Sequence, residues 1–496
     1  IRDRNNLSTS IERLSSGYKI NGSKDDAAGC AISEKMRAQI RGLSQAQNNT
    51  ADGVSVLNTA EGAITEIQSM LTRLKELSVQ AANDVNSDDE REAIQKEIEQ
   101  INNEIDRISD QTEFNTQSLI NGNLSRRVYS DLQGVNQLSV SDSYTAGVYG
   151  ITVTEDARQA IAVGAGSITM SSTASITEEQ AGAININGYK ISISEGDTLD
   201  KVMGKIIDGV NITGGSAFTV KDLNNDTAAN GTDYAGYVPT ADYAGSTLVI
   251  MTNQYGSDQK MNITCDNAEL ADILGIPQAA TQDGIYVEGS DVKAEIATGD
   301  DGKRIGFADS AILSTKGTVI TVTDVNNKEF SMDVPGNAAG TVFDDSNNDG
   351  QSAAGAGTAR TISQEVTDVG TMSIHVGANQ DQVIVIDIPA ITTYSLGTEH
   401  MNVMTQYTAS RAISTVDEAI NKTNKIRSRI GAYENRFDHT TNNLEVSSEN
   451  LTKSLSTMID TDMSEEMTTY TSETVLTQAA TSILAQANDC LLYTSD

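Results

Sequence analysis

The chain has no tryptophan, four prolines, three histidines and 4% aromatic residues in all. Large aromatic cores are therefore not its main source of stability. Its three cysteines, Cys30, Cys265 and Cys490, lie hundreds of residues apart. That spacing is neither a disulfide framework nor a zinc motif. No apolar run approaches the roughly 18 residues of a membrane span, and the opening "IRDRNNLSTSIERL" has no signal-peptide core. Positive charge is scarce: 34 Lys and Arg face 69 Asp and Glu, a net charge of -35. Such a chain repels phosphate backbones, which argues against nucleic acid as a partner, and stays soluble at high concentration. Its 496 residues fit about two to four domains.

What is present is helix at both ends and strand between. Leu57, Ile64 and Leu71 are seven apart, as are Ala60, Ile67 and Leu74. That places one narrow apolar seam along a helix, as in coiled coils. Ser87 followed by acids reads as a helix start. Ile94, Ile98, Ile101, Ile105 and Ile108 then form a second seam that pauses at "FNTQSLINGN". Near the other end Ile430, Phe437, Leu444, Leu451 and Met458 repeat every seven residues. Packing the helices of both ends together buries every seam. An ordinary globular helical bundle is the alternative reading of the heptads.

Between Gly122 and Gly370 small and polar residues dominate. In "AININGYKISI" two alternating runs flank Asn187-Gly188, a hairpin signal. Leu199, Val202, Met203 and Ile206 have helical spacing. "STLVIMTN", "KMNITC", "TVITVTDVNNKEFSMDV" and "MSIHVGANQDQVIVIDI" read as strands, and "TVFDDSNNDGQSAAGAGTAR" as a linker. The fold class expected is α+β and multidomain. A long antiparallel coiled-coil stem is built from both chain ends, with a β-rich variable insertion between.

Several long stretches identify a family. "IERLSSGYKINGSKDDAAG", "NNTADGVSVLNTAEGAITEI" and "LTRLKELSVQAAN" resemble the N-terminal region of bacterial flagellins. "RIGAYENRFDHTTNNL", "SENLTKS", "DTDMSEEM" and "ILAQAN" resemble the C-terminal region. The segment 184–276 is similar to a β-module of flagellins and hook-associated proteins, and "SIHVGANQDQ" to the hairpin beside the family's helical core. The resemblance implies five regions. Residues 1–26 are the remnant of an inner-tube helix and its spoke, and 27–124 the N-terminal half of the helical core. Residues 125–371 are the variable outer insertion. Residues 372–459 hold the hairpin and the C-terminal half of the core, and 460–496 the C-terminal inner-tube helix.

It also implies a structural, non-enzymatic subunit, exported unfolded and polymerised into the extracellular filament for motility. The implied partners are further copies of itself, the export apparatus, a flagellin chaperone, the filament cap and a host Toll-like receptor. No cofactor and no membrane insertion are implied. Receptor recognition would fall to Arg73, Leu77 and Glu97, all off the central seam; Lys75 stands where the family commonly has Arg. Core packing would fall to Leu57, Ile64, Ile67, Leu71, Leu74, Ile98, Ile101, Ile105, Phe437, Leu444 and Leu451. Within the superfamily the alternative is a hook-filament junction protein. From another class, it is an adhesin or glycan-binding role of the insertion.

Other chemistry finds little footing. A metalloprotease in the insertion, as some relatives carry, needs His-Glu-x-x-His, and His375, His400 and His439 are in no such motif. Asp345–Gly350 fits the first half of a calcium loop, but position twelve is Ala356 instead of Glu. Cys265 is expected to be a buried thiol on a strand. "CLLYTSD" is no prenylation box, because Cys490 is seventh from the end. Both "CLLYTSD" and "IRDR" can be written in codons of one inverted transposase adapter element. Both ends are therefore expected to be non-native, with about twenty residues missing upstream and weak polymerisation of residues 1–496.

Overall fold

The structure is a computed structural model. It describes residues 2–141, 144–164, 166–220, 243, 245–276, 284–299, 302–324, 328–336, 343–344, 353–354, 359–367 and 369–493. The calcium-like segment 345–350 and most of the 341–360 linker lie outside the described residues. The chain forms two compact units. One comprises Ile1–Leu57, Ser373–Val385 and Gly431–Asp496; the other comprises Asn58–Met372 and Ile386–Ile430.

The helices are α1 (Arg2–Ser16), α2 (Ala27–Ala81), α3 (Asp88–Gln111), α4 (Leu199–Ile212), α5 (Ala268–Ile273), α6 (Thr393–Leu396), α7 (Gln406–Ile459) and α8 (Met463–Tyr493). In the first unit α1 runs antiparallel to α8. Asn6 donates to Glu473 at 3.3 Å, Arg13 pairs with Glu466 at 3.7 Å, and Tyr18 bridges Asp460. Leu43 and Ala46 of α2 meet Leu444 of α7 in a small apolar core, with Leu451 half-buried against it. Nearby, Phe437 fills the space above Gly53. The hairpin of β20 (Met372–His375) and β21 (Val383–Ile386) lies beside these helices, with Asn49 donating to the His375 carbonyl at 2.9 Å.

In the second unit three helices meet. Ile64, Ile67, Leu71 and Leu74 of α2 are fully buried, as are Ile98 and Ile105 of α3 and Val416 and Ala419 of α7. Helix α3 begins at Ser87, whose hydroxyl accepts from Glu90 N while the Glu90 side chain accepts from Ser87 N. This reciprocal cap satisfies two otherwise orphaned donors. The α3 seam differs from expectation. Ile101 and Ile108 are only half-buried, and Asn102 and Ser109 take the buried positions. Asn102 Nδ2 donates to the Thr398 carbonyl at 2.8 Å and Ser109 Oγ to the Ile120 carbonyl at 3.2 Å. Those carbonyls belong to segments packed beside α3, and satisfying them rotates the buried stripe away from Ile101.

Among its described residues the insertion holds two large β cores and a small apolar cluster of Ile161, Val163, Val249 and Met251. The first is lined by Ile184, Ile186, Ile206, Val210, Ile263 and Leu270 among others. One of its sheets has the order β12 (Ile285–Glu288), β11 (Lys260–Cys265), β7 (Gly182–Ile186), β8 (Tyr189–Ile193). The other has the order β6 (Ile161–Val163), β10 (Thr247–Thr252), β9 (Gly215–Val220). Helices α4 and α5 complete it. Asn187 and Gly188 both have positive φ, 52° and 89°, the two-residue turn expected between β7 and β8. The core runs from Ala160 to Val287, wider than the 184–276 module, because β6 and β12 supply its edges.

The second core lies between two four-stranded sheets. Their orders are β13 (Lys293–Ile296), β5 (Gly147–Glu155), β19 (Arg360–Val366), β3 (Val128–Ser130), and β14 (Ile312–Lys316), β15 (Val319–Thr323), β16 (Glu329–Asp333), β4 (Asn136–Val140). Although aromatics are scarce, four gather here. Tyr144, Tyr149, Phe307 and Phe330 pack with centroids 5.1–6.1 Å apart. Burial pushes the Tyr144 hydroxyl up to about 12. Two-residue ladders β1 (Glu113–Phe114) with β2 (Gln117–Ser118), and β17 (Phe343–Asp344) with β18 (Ala353–Ala354), complete the strands. The insertion enters and leaves at one place: Arg127 N donates to Val369 O at 2.9 Å, and Thr367 N to Arg127 O at 3.1 Å.

Candidate functional site: the faces of the stem helices

Helix α2 is flanked on two sides in the second unit. Toward α3, Arg73 Nε and Nη2 both donate to Glu97 Oε1, at 3.1 and 2.8 Å, while Nη1 reaches Glu76 at 3.0 Å. The hydrogen bond to Glu97, then that to Glu76, raises the Arg73 pKa. Toward α7, Lys75 meets Asp417 at 2.6 Å, and Arg427 grips Glu61 at 2.9 and 2.7 Å. Paired positions 75 with 417 and 61 with 427 run in opposite senses, so α2 and α7 are antiparallel here.

A helix with two partners needs a wider apolar stripe than one seam provides. That explains Leu77. Expected off the seam with a face to a partner, it is instead buried, at 1% exposure, beside Leu74 and Ser78. Arg73 and Glu97 remain at the surface, their side chains 49% and 46% exposed. The structure thus joins two of the three residues singled out for receptor recognition into one exposed ion pair and places the third beneath the surface. Of the expected packing residues, Leu57, Ile64, Ile67, Leu71, Leu74, Ile98, Ile105, Phe437 and Leu444 are buried. Ile101 and Leu451 are half-buried.

One set of residues was not singled out in the sequence. Along α8, Met463, Met467, Val475, Leu476, Ile483 and Leu484 are 49–66% exposed, and Ile11 of α1 is 49% exposed. At about 100° per residue these α8 positions fall on several sides of the helix. One neighbour, α1, covers only one of those sides. The signal was in the sequence: the adjacent pairs Val475-Leu476 and Ile483-Leu484 widen the apolar surface of α8 beyond one narrow seam.

Other chemistry is sparse. His375 and His439 sit on β20 and α7, and His400 lies 3.9 Å from Glu399. Among the described residues, no group of three or more His, Cys, Asp or Glu side chains is placed to hold a metal ion. No described helix is long and apolar enough to cross a membrane. Cys265 is buried on β11, its thiol donating to the Asn267 carbonyl at 3.2 Å and pushed up by burial.

The bacterial flagellin N-terminal helical region matches residues 2–125, and the bacterial flagellin C-terminal helical region matches residues 413–492. Flagellin of Salmonella typhimurium is 30% identical over 507 aligned positions, covering 97% of this chain and 93% of that protein. The chain belongs to the bacterial flagellin family. Flagellin of Clostridium tyrobutyricum is 29% identical over 98% of this chain and 94% of its own length. Flagellin of Halalkalibacterium halodurans reaches 54% identity over 110 residues, 22% of this chain and 40% of that protein. Solved structures align more loosely. The D2-D3 domains of the Escherichia coli flagellar cap protein cover 49% of this chain and 98% of their own, at 15% identity and a TM-score of 0.28. That score is too low to carry a finer comparison. As a flagellin, the chain is a structural subunit of the bacterial flagellar filament and serves motility.

Proposed function

We propose that this flagellin is exported through the flagellar secretion channel and assembles outside the cell, with α1 and α8 forming the inner layer of the filament. The observation that carries this is the exposed apolar set on α8 and Ile11. A helix with apolar residues on several sides is stable only when several neighbours cover it. Copies of the same chain meeting head to tail supply those neighbours and build an open helical polymer. The remaining partners of this reading are the export apparatus, a flagellin chaperone and the filament cap. The role is structural, without catalysis or a cofactor. Electron microscopy of the polymerised protein tests it. Leu476→Asp with Ile483→Asp is expected to polymerise less than the wild-type sequence and to leave monomers. Equal polymerisation of that variant would remove α8 from the interface.

We further propose that the Arg73–Glu97 pair contributes to recognition by the host Toll-like receptor for flagellin. Its support is the family resemblance of the stretch around Arg73 together with the exposure of both side chains. Leu77, being buried, would act by holding the helix surface in place.

A further inference from the structure

A cleft of about 440 Å³ opens in the second unit where the α2–α3 turn, the β7–β8 turn and the start of α7 converge. Tyr189, Tyr286 and Tyr407 line it, from three different elements. Asp84, Asn262 and Gln406 add short polar side chains with acceptor or donor atoms. We propose that this cleft is a binding site for a neutral oligosaccharide.

The walls are fixed. Arg91 is 7% exposed and donates to the carbonyls of Ala81 and Asn83, both at 3.2 Å, pinning the α2–α3 turn. The Asn187 side chain accepts from Asn262 N at 2.8 Å and donates to Lys260 O at 3.1 Å, pinning the β7–β8 turn. The Tyr286 ring has Lys260 Nζ 5.7 Å from its centroid, and its hydroxyl donates to Glu288 at 2.7 Å. Tyr407 has the Arg411 guanidinium 6.0 Å from its centroid. A pre-formed cleft binds without the entropic cost of ordering its own side chains.

Charge selects the ligand class. The charged lining residues are Asp84, Asp88, Arg91 and Lys260, two of each sign. Both cations are already committed, Arg91 to carbonyls and Lys260 to Glu288 at 2.7 Å. Asp88 lies 3.7 Å from Arg91, so among the lining charges Asp84 is the carboxylate left over, which disfavours an anion and supplies an acceptor for hydroxyls. What remains is aromatic surface interleaved with amide and carboxylate groups. A sugar ring matches both, with an apolar C–H face for a tyrosine and hydroxyls that donate to Asp84 and exchange hydrogen bonds with Asn262 and Gln406.

The test uses the full chain and three probes: chitotriose, N-acetyllactosamine and maltotriose. Saturation-transfer NMR detects contact, and tyrosine fluorescence follows titration without a tryptophan background. At least one probe is expected to bind saturably below about 10 mM. Tyr286→Ala and Tyr407→Ala are each expected to weaken it at least tenfold, and Tyr129→Ala, exposed elsewhere, to leave it unchanged. Tyr286 is 51% exposed, so its removal leaves the fold intact, checked by circular dichroism. Failure of all three probes to bind overturns the proposal. So does binding that survives both substitutions, and so does binding of choline in place of the sugars, which would make the cleft a cation cage.

Discussion

Phe437 of α7 sits over Gly53 of α2 so closely that a Cβ added to Gly53 would lie 3.0 Å from its Cζ and 3.5 Å from Cγ1 of Ile374. A glycine inside a helix costs about 1 kcal/mol relative to alanine. Here it is retained because the ring needs the space. Gly53→Val is expected to destabilise the helical core by about 1–3 kcal/mol through overpacking, and Phe437→Ala by about 3–5 kcal/mol through the cavity left. Adding Phe437→Leu to Gly53→Val is expected to recover part of the loss. Urea denaturation followed by circular dichroism measures these and Phe437→Leu alone, and strict additivity of Gly53→Val and Phe437→Leu would refute the contact.

Arg73→Ala and Glu97→Ala, singly and together, are expected to lower potency in a Toll-like receptor reporter-cell assay. Both side chains are half exposed, and exposed ion pairs contribute little to folding, so the melting temperature is expected to stay close to that of the wild type. That contrast separates recognition from stability. Equal potency of wild type and double variant would sink the receptor reading. Leu77→Ala is expected to lower the melting temperature first, because Leu77 is buried.

Asp197 is nearly buried and carries two lysines, Lys201 at 2.7 Å and Lys205 at 2.6 Å, with Ser194 N donating at 3.0 Å. The bonds from Lys201, then Lys205 and Ser194, hold its carboxyl well below the usual carboxylate range. A depressed folded-state pKa contributes stability that is present above the unfolded value of about 3.9 and is lost as pH falls below it. The first β core is therefore expected to weaken on acidification below about pH 4. Asp197→Asn is expected to be less stable at neutral pH and to lack this part of the acid slope. Denaturation curves between pH 3 and 7 decide; an unchanged slope in the variant would contradict the assignment.

Cys265 is 3% exposed and its thiol pKa is raised by burial, whereas Cys30 is half-buried on α2. Iodoacetamide at pH 8 is expected to modify Cys30 in the native protein and Cys265 only after denaturation, since the thiolate is the reactive form. Peptide mapping by mass spectrometry distinguishes the two. Comparable labelling of Cys265 in the native protein would place that strand at the surface.

Local signals were legible in the sequence and long-range ones were not. Ser87 with Glu90, and Asn187 with Gly188, fix their own turns within four residues, and the structure holds both as expected. The heptads located most of the buried stem. They erred where a third element intruded: Asn102 displaces Ile101 because its amide satisfies the Thr398 carbonyl, and Leu77 is covered because α2 has partners on two sides. The second β core was invisible as a unit. Its sheets pair Ser130 with Gln364 and Val140 with Phe330, and no turn chemistry encodes pairings across such separations. Average composition hid its aromatic cluster in the same way. The tyrosine cleft was also unreadable, since its three rings come from segments that meet only once α7 is packed.

The hydrogen bonds between Arg127 and the 367–369 segment have a consequence for replacement. Neighbouring strands run about 5 Å apart, so the polypeptide that departs at 127 comes back almost to its point of departure. The insertion's two ends thus share one small gap, while its body also pairs with α7 through Lys316 with Glu418 and Glu329 with Lys425. A cargo domain whose own ends meet at a similar gap can be spliced there and displayed on every copy along a fibre.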